Sequence, residues 1–199
     1  MGTPKALLAE PDGLPWLVRA VDALLDTGVA PVAVVLGAAP EAAAVMRRHR
    51  PEVEVVVAGR WTEGQSESLR AGLEALADLA PAAESAVVML VDLPDVSAEV
   101  VRRVVRSVGS TPEALGRAAY DGRPGHPVVL GRAWWSAAPA ERRSLLASPA
   151  AVRVECGDLA TGRDLDRRED LPTGTRTLRG GSDEDGSGPR PTARQPRLL

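Results

Sequence analysis

Hydrophobic positions in the first hundred residues switch between helical spacing and short unbroken runs. Over residues 14–28 the apolar side chains Leu17, Val18, Val21, Leu24 and Leu25 recur every three or four positions. Pro15 stands near the start of that stretch and Gly28 at its stop, so the spacing predicts an amphipathic helix. Residues 31–37 are a continuous apolar run, as expected of a strand buried on both faces of a parallel sheet. An alanine-rich helix is predicted over 40–49 and a second strand over 53–57. A polar loop at 59–65 leads to a helix over 66–79, and a third strand over 86–91 runs directly into Asp92-Leu93-Pro94-Asp95. A further helix is predicted over 97–108, with Ser97 as its N-cap and Glu99 in its first turn. Connections this short between alternating strands and helices predict an α/β fold with a doubly wound, Rossmann-like, mostly parallel sheet.

Beyond Ala114 the pattern changes. Residues 120–130 read as a turn-rich segment leading into a strand, 133–137 as a short helix carrying Trp134 and Trp135, and 152–155 as a last short strand. From Thr173 onward Gly, Ser, Pro, Asp and Arg dominate, and such a segment cannot bury enough surface to offset its ordering entropy. One domain over 1–172 and a disordered tail over 173–199 are therefore expected, and 199 residues suffice for one α/β core.

Composition narrows the function classes. With no Phe and one Tyr the core must be aliphatic, and a net charge of −3 argues against a general nucleic-acid binder. Cys156 is the only cysteine, so neither an intrachain disulfide nor a cysteine-based zinc site is available. No apolar run approaches the ~20 residues of a spanning helix, and there is no basic-then-apolar leader. No membrane partner and a cytoplasmic location are expected. Of 24 basic residues only Lys5 is a lysine, and it lies in the opening string Met1-Gly2-Thr3-Pro4-Lys5.

Several strings fall at predicted strand ends, where open α/β sheets bind ligands. The first is the opening string itself. The second is Trp61-Thr62-Glu63-Gly64-Gln65-Ser66-Glu67-Ser68-Leu69-Arg70, with two hydroxyls at the opening of a helix, where Ser66 can also serve simply as an N-cap. The third is Asp92-Leu93-Pro94-Asp95: a carboxylate at the end of a buried strand is costly unless solvated, hydrogen-bonded or holding a cation. Asp92 is the first metal candidate, while Asp95 suits a turn or helix start. The fourth is Asp164-Leu165-Asp166-Arg167-Arg168-Glu169-Asp170. The segment Gly122-Arg123-Pro124-Gly125-His126-Pro127-Val128 adds a histidine with no second His or Cys at zinc-ligand spacing. His49 reads as a solvated helix end.

Taken in order, these strings resemble the MobA-like NTP transferases, nearest the molybdenum-cofactor cytidylyltransferase (MocA) branch. The family's patterns are M-G-x-P-K-x-L-L, W-x-E-G-M-x-x-S-L-R-x-G-L, D-x-P-x-V, G-x-x-G-H-P-V and D-x-D-T-P-E-D-L. The resemblance implies a fold of nucleotide-diphospho-sugar transferase type. It also implies transfer of a nucleoside monophosphate from an NTP, CTP for that branch, to a phosphorylated acceptor such as molybdopterin, with release of pyrophosphate. It assigns Lys5 and Asp92 to catalysis, and Gly2, Lys5, Gly64, Ser66 and Ser68 to the nucleotide. Gly125 and His126 fall to the acceptor, and Asp92 with Asp166 to Mg²⁺, Asp164 being the rival of Asp166.

Gln65 replaces the family's Met, and Arg167-Arg168 replace Thr-Pro. The family's G-D-x-G-A-R segment corresponds to residues 139–146, which keep little of it and leave the acceptor open. The family's first strand and its L-A-A-G-x-S-x-R phosphate loop would precede Met1, which is expected to be the internal Met of the motif. A truncated, catalytically impaired relative that binds a nucleotide or partner is the alternative, as is a guanylyl or sugar-nucleotide transferase on the same fold. A dehydrogenase is disfavoured, since no G-x-G-x-x-G follows a strand.

Overall fold

The computed structural model describes residues 4–165 and 171–178. Helix α1, Trp16–Leu25, starts at Pro15 and buries Trp16, Leu17, Val18 and Val21 along one stripe. Strand β2, Ala33–Leu36, pairs in parallel with β3, Glu54–Val57, and helix α2, Ala42–His49, makes the crossover between them. Met46 of α2 is fully buried against α1 and β2 in one aliphatic cluster. Helix α3, Gln65–Leu79, leads to β4, Ser85–Val88, and then to α4, Ala98–Val108, whose Val100, Val101 and Val104 are fully buried. The α/β class and the winding of this half follow the hydrophobic pattern.

The second half holds two elements that the pattern does not predict. Strand β5, Leu115–Tyr120, forms a hairpin with β6, Arg123–Gly131, through Asp121 and Gly122, whose φ angles of 50° and 75° are those of a primed hairpin turn. The sequence Leu-Gly-Arg-Ala-Ala-Tyr has no β-branched residue, so β5 owes its form to its neighbours: β6 on one side and β7, Val152–Glu155, in parallel on the other. Helix α5, Ala138–Ala147, buries only Ala138, Pro139 and Leu146, too few to leave a helical stripe in the sequence. The short helix expected at 133–137 is a single 3₁₀ turn, Arg132–Trp134. Ser97 occupies the N-cap position of α4, but its hydroxyl makes no capping bond.

Three ladders result. β4-β6-β5-β7 form a mixed four-stranded sheet in which β6 runs antiparallel to both neighbours. β2 and β3 form a separate parallel pair. Leu8–Ala9 (β1) pair antiparallel with Arg176–Thr177 (β8), so a piece of the segment assigned to the tail by composition docks on the start of the chain. The third strand is shorter than expected: its ladder stops at Val88, four residues before Asp92. Among the described residues no helix is long and apolar enough to cross a membrane.

Candidate active site

Asp92 follows β4 at its carboxyl end, and the opening segment brings Lys5 onto it: Lys5 Nζ donates to Asp92 Oδ2 at 2.5 Å. The two side chains are 23% and 16% exposed, so the pair is shielded yet reachable from solvent. Asp92 Oδ1, by contrast, is buried and meets no hydrogen-bond donor among the described residues. A carboxylate oxygen left in that state is costly unless a cation or an ordered donor arrives.

The fourth sequence string reaches the same place. Leu165 N donates to the Asp92 carbonyl oxygen at 3.2 Å, which docks the backbone of that string on the Asp92 segment. Asp95 secures this strap. Its Oδ2 accepts from Thr161 N and from Thr161 Oγ1, both at 2.6 Å. Asp95, read from sequence as a turn residue, is thus the post to which residues 161–165 are tied. Asp166, Glu169 and Asp170 lie outside the described residues, as does Gly2. Among the described residues no three His, Cys, Asp or Glu side chains come together as a metal site. Asp92 Oδ1 is a hard oxygen donor of the kind that Mg²⁺ or Mn²⁺ takes.

The opposite wall is cationic. His126 sits in β6 with Nε2 buried and without a partner among the described residues. Burial, reinforced by the charges of Arg117 and Arg142, pushes its pKa down to about 4, against a smaller upward pull from Asp92. The imidazole is therefore neutral at pH 7. Its backbone is fixed by Tyr120, whose hydroxyl donates to the His126 carbonyl oxygen at 2.6 Å. Gly125 is required for that packing: a Cβ there would stand 2.6 Å from Tyr120 Cε2. Arg117 Nε donates to the Gly125 carbonyl oxygen at 3.1 Å, and Arg142 Nη2 reaches Gln65 Oε1 at 3.3 Å. Burial and the nearby charges of Arg142 and Arg153 lower the pKa of Arg117 from its ordinary value. Arg117 and Arg142 were not found by sequence reasoning, because each lies in an element the pattern did not predict.

The loop at 59–65 is linked to Arg142 through Gln65. Gly64 adopts φ 116°, a region that favours glycine, and stands at the N-terminus of α3. Trp61 lies on Gly37 at the carboxyl end of β2, where a Cβ would come within 2.8 Å of Trp61 Cβ. Ser66 is exposed and makes no capping bond, while Ser68 lines an apolar cavity of about 290 Å³ together with Gln65 and Arg142. The structure thus brings Lys5 and Asp92 into direct contact, with the 161–165 strap beside them. Gly125 and His126 lie close enough for the Asp92 charge to act on the imidazole, with Gln65 of the Trp61 loop bonded to Arg142.

Residues 1–150 match the model of the MobA-like NTP transferase domain. The chain belongs to this family. Rv0371c from Mycobacterium tuberculosis H37Rv is similar in structure, with 28% identity and a TM-score of 0.66 over 85% of this chain and 87% of that one. The complex of Rv0371c with manganese gives 26% identity and a TM-score of 0.63, over 84% of this chain and 88% of that one. At 15% identity and a TM-score of 0.59, 4-diphosphocytidyl-2C-methyl-D-erythritol synthase shares the fold over 79% of this chain and 86% of its own. No curated protein matches the sequence. The domain is of nucleotidyltransferase type, and its wound α/β sheet is that of the nucleotide-diphospho-sugar transferases.

Proposed function

We propose that this chain transfers a nucleoside monophosphate from an NTP to a phosphorylated small-molecule acceptor, with Asp92 and Asp166 holding Mg²⁺. The observation that carries the reading is the division of labour at Asp92. Oδ2 is taken by Lys5, while Oδ1 is buried and left for a cation. When bound, such a cation neutralises phosphate charge and orients the reacting group. Phosphoryl transfer asks little covalent chemistry of a protein; it asks for positioning and charge neutralisation. Lys5 supplies one cation near the strand end, and backbone N–H groups near Gly64 suit phosphate oxygens, while Gly2 is given to the nucleotide by the sequence string alone. Ser66 and Ser68 at the opening of α3 supply hydroxyls on the nucleotide side. Asp166 is the second carboxylate we favour for the metal on the strength of the sequence string, with Asp164 its rival.

Arg117 and Arg142 favour an anionic acceptor in front of His126, whose neutral ring can exchange a hydrogen bond without adding charge. CTP as donor and molybdopterin as acceptor rest on the likeness of the sequence strings to the MocA branch. Residues 139–146, where that likeness fails, form α5 and carry Arg142, so acceptor choice is the part most open to revision. Consumption of an NTP suits the cytoplasm.

Mn²⁺ titration followed by electron paramagnetic resonance tests the assignment, beside pyrophosphate release with CTP and Mg²⁺. Asp92→Ala should abolish tight Mn²⁺ binding and cut transfer by ~10²–10³-fold, with the circular dichroism unchanged. Undiminished metal binding in that variant would sink the role given to Asp92.

A further inference from the structure

Tyr120 ends β5 with only 4% of its surface exposed. It shares one buried cluster with Leu93 and Val96, the residues that follow Asp92 and Asp95, and with Cys156 and Ala160, which lead into the strap. No step assigned above uses it, yet its contacts fall on both ends of the site.

At one end, the Tyr120 hydroxyl donates to the His126 carbonyl oxygen at 2.6 Å. The Cδ2–Cε2 edge of its ring lies on Gly125, where a Cβ would stand 2.6 Å from Cε2 and 2.7 Å from Cδ2. At the other end, the same edge lies on Gly162 of the strap. A Cβ on Gly162 would come within 2.0 Å of Cδ2 and 2.1 Å of Cε2. Gly162 also has φ 58°, so both its backbone conformation and the space before it reserve the position for glycine.

Two chain segments 37 positions apart thus lean on one ring edge at backbone distance. A side chain held this way in a close-packed interior passes a displacement on to its neighbours instead of absorbing it. Burial raises the pKa of the phenol from its ordinary value, with smaller contributions from Cys156 and Asp95, so the hydroxyl remains a donor to His126. Glu155 secures a different part of the hairpin: its carboxylate accepts from Asp121 N, Gly122 N and Gly157 N at 2.9, 3.0 and 2.9 Å.

We infer that Tyr120 is a positioning residue shared by the two ends of the site, its hydroxyl setting the His126 segment and its ring edge setting the strap that docks on Asp92. The metal end of this inference rests on the nucleotidyltransferase reading, whereas the link between strap and His126 rests on packing alone. The ring fixes the spacing between the metal side and the acceptor side, which in-line transfer requires.

Two readouts on the full chain test it: Mn²⁺ affinity by electron paramagnetic resonance, and the NMR signals of the two imidazoles. His49 on α2 is the internal control for His126. Tyr120→Leu should weaken Mn²⁺ binding about tenfold and displace the His126 signals. Tyr120→Phe keeps the ring edge and loses only the hydroxyl, so it should restore wild-type Mn²⁺ affinity while the His126 signals stay displaced. Gly162→Ala presses on the ring from the strap and should displace the His126 signals with His49 unmoved. In a Tyr120→Leu background the same change should add nothing at His126.

Tyr120→Leu altering one end alone overturns the inference, as does Tyr120→Phe losing as much Mn²⁺ affinity as Tyr120→Leu. Equal effects of Glu155→Ala at both ends would make hairpin stability the cause and overturn it too. Should Tyr120→Leu fail to fold, Tyr120→Phe and Gly162→Ala decide: displaced His126 signals in both uphold the inference, and unmoved signals in either overturn it. A wild type without Mn²⁺ affinity sinks the metal reading instead, and the link through Tyr120 then stands or falls with the His126 signals of Gly162→Ala.

Discussion

The two walls of the cleft are built on opposite electrostatic plans. On one, Lys5 and Asp92 neutralise each other at 2.5 Å, and the strap at 161–165 is tied down by two bonds to Asp95. On the other, Arg117 and Arg142 surround a histidine that has lost its charge, and no carboxylate is paired with either guanidinium among the ion pairs of the described residues. A wall whose lysine takes one carboxylate oxygen and leaves the other suits a site that adds a metal cation. A wall with uncompensated cations suits a ligand that brings the anion with it.

Three perturbations sharpen the contrast. The largest effect is expected from the cationic wall. Arg142→Gln combined with Arg117→Gln should raise KM for the acceptor by about 10–100-fold while leaving Mn²⁺ affinity unchanged, since a hydrogen bond to a charged group contributes ~1.5–3 kcal/mol. Equal loss of metal binding in steady-state and titration experiments would erase the distinction between the walls. Next comes the strap. Asp95→Ala touches neither metal nor nucleotide directly, yet it frees Thr161, and supporting groups of this kind typically carry about tenfold or more in metal affinity. Isothermal titration with Mn²⁺ should show that loss with the acceptor KM unaltered.

The smallest effect concerns His126. Its pKa is about 4 in the folded chain against 6.5 when unperturbed. The unfolded chain therefore takes up the proton first as pH falls. Stability is fully present above pH 6.5 and declines between about 6.5 and 4, by on the order of 1 kcal/mol once partial exposure is discounted. Urea unfolding of the wild type and of His126→Asn across that window should show this slope in the wild type and its absence in the variant. Parallel curves would mean that the imidazole is not held neutral.

Much of the first half is readable from spacing alone. The runs at 31–37 and 53–57 and the stripes of α1, α3 and α4 each bury one coherent face, so periodicity reports them directly. Asp92 is legible for the same reason, as a carboxylate placed straight after an apolar run. β5 and α5 are not, because their residues are small or charged and their conformation is imposed by β6, β7 and the Asp121-Gly122 turn. The role of Asp95 was equally hidden, since its partner Thr161 is 66 residues away. Asp166 and Gly2 lie outside the described residues, so their assignments rest on the sequence strings.

By itself the sequence determined the α/β class, the order of the wound elements and the family, because these follow from local periodicity and from short strings that fall at strand ends. Only the tertiary structure decided which charges meet. It set Lys5 against Asp92 across 87 positions, tied the 161–165 strap to Asp95, and gathered Arg117, Arg142 and His126 on one wall. It also placed β2 and β4 in separate ladders, since hydrogen-bond ladders and buried charges are settled by neighbours in space rather than along the chain.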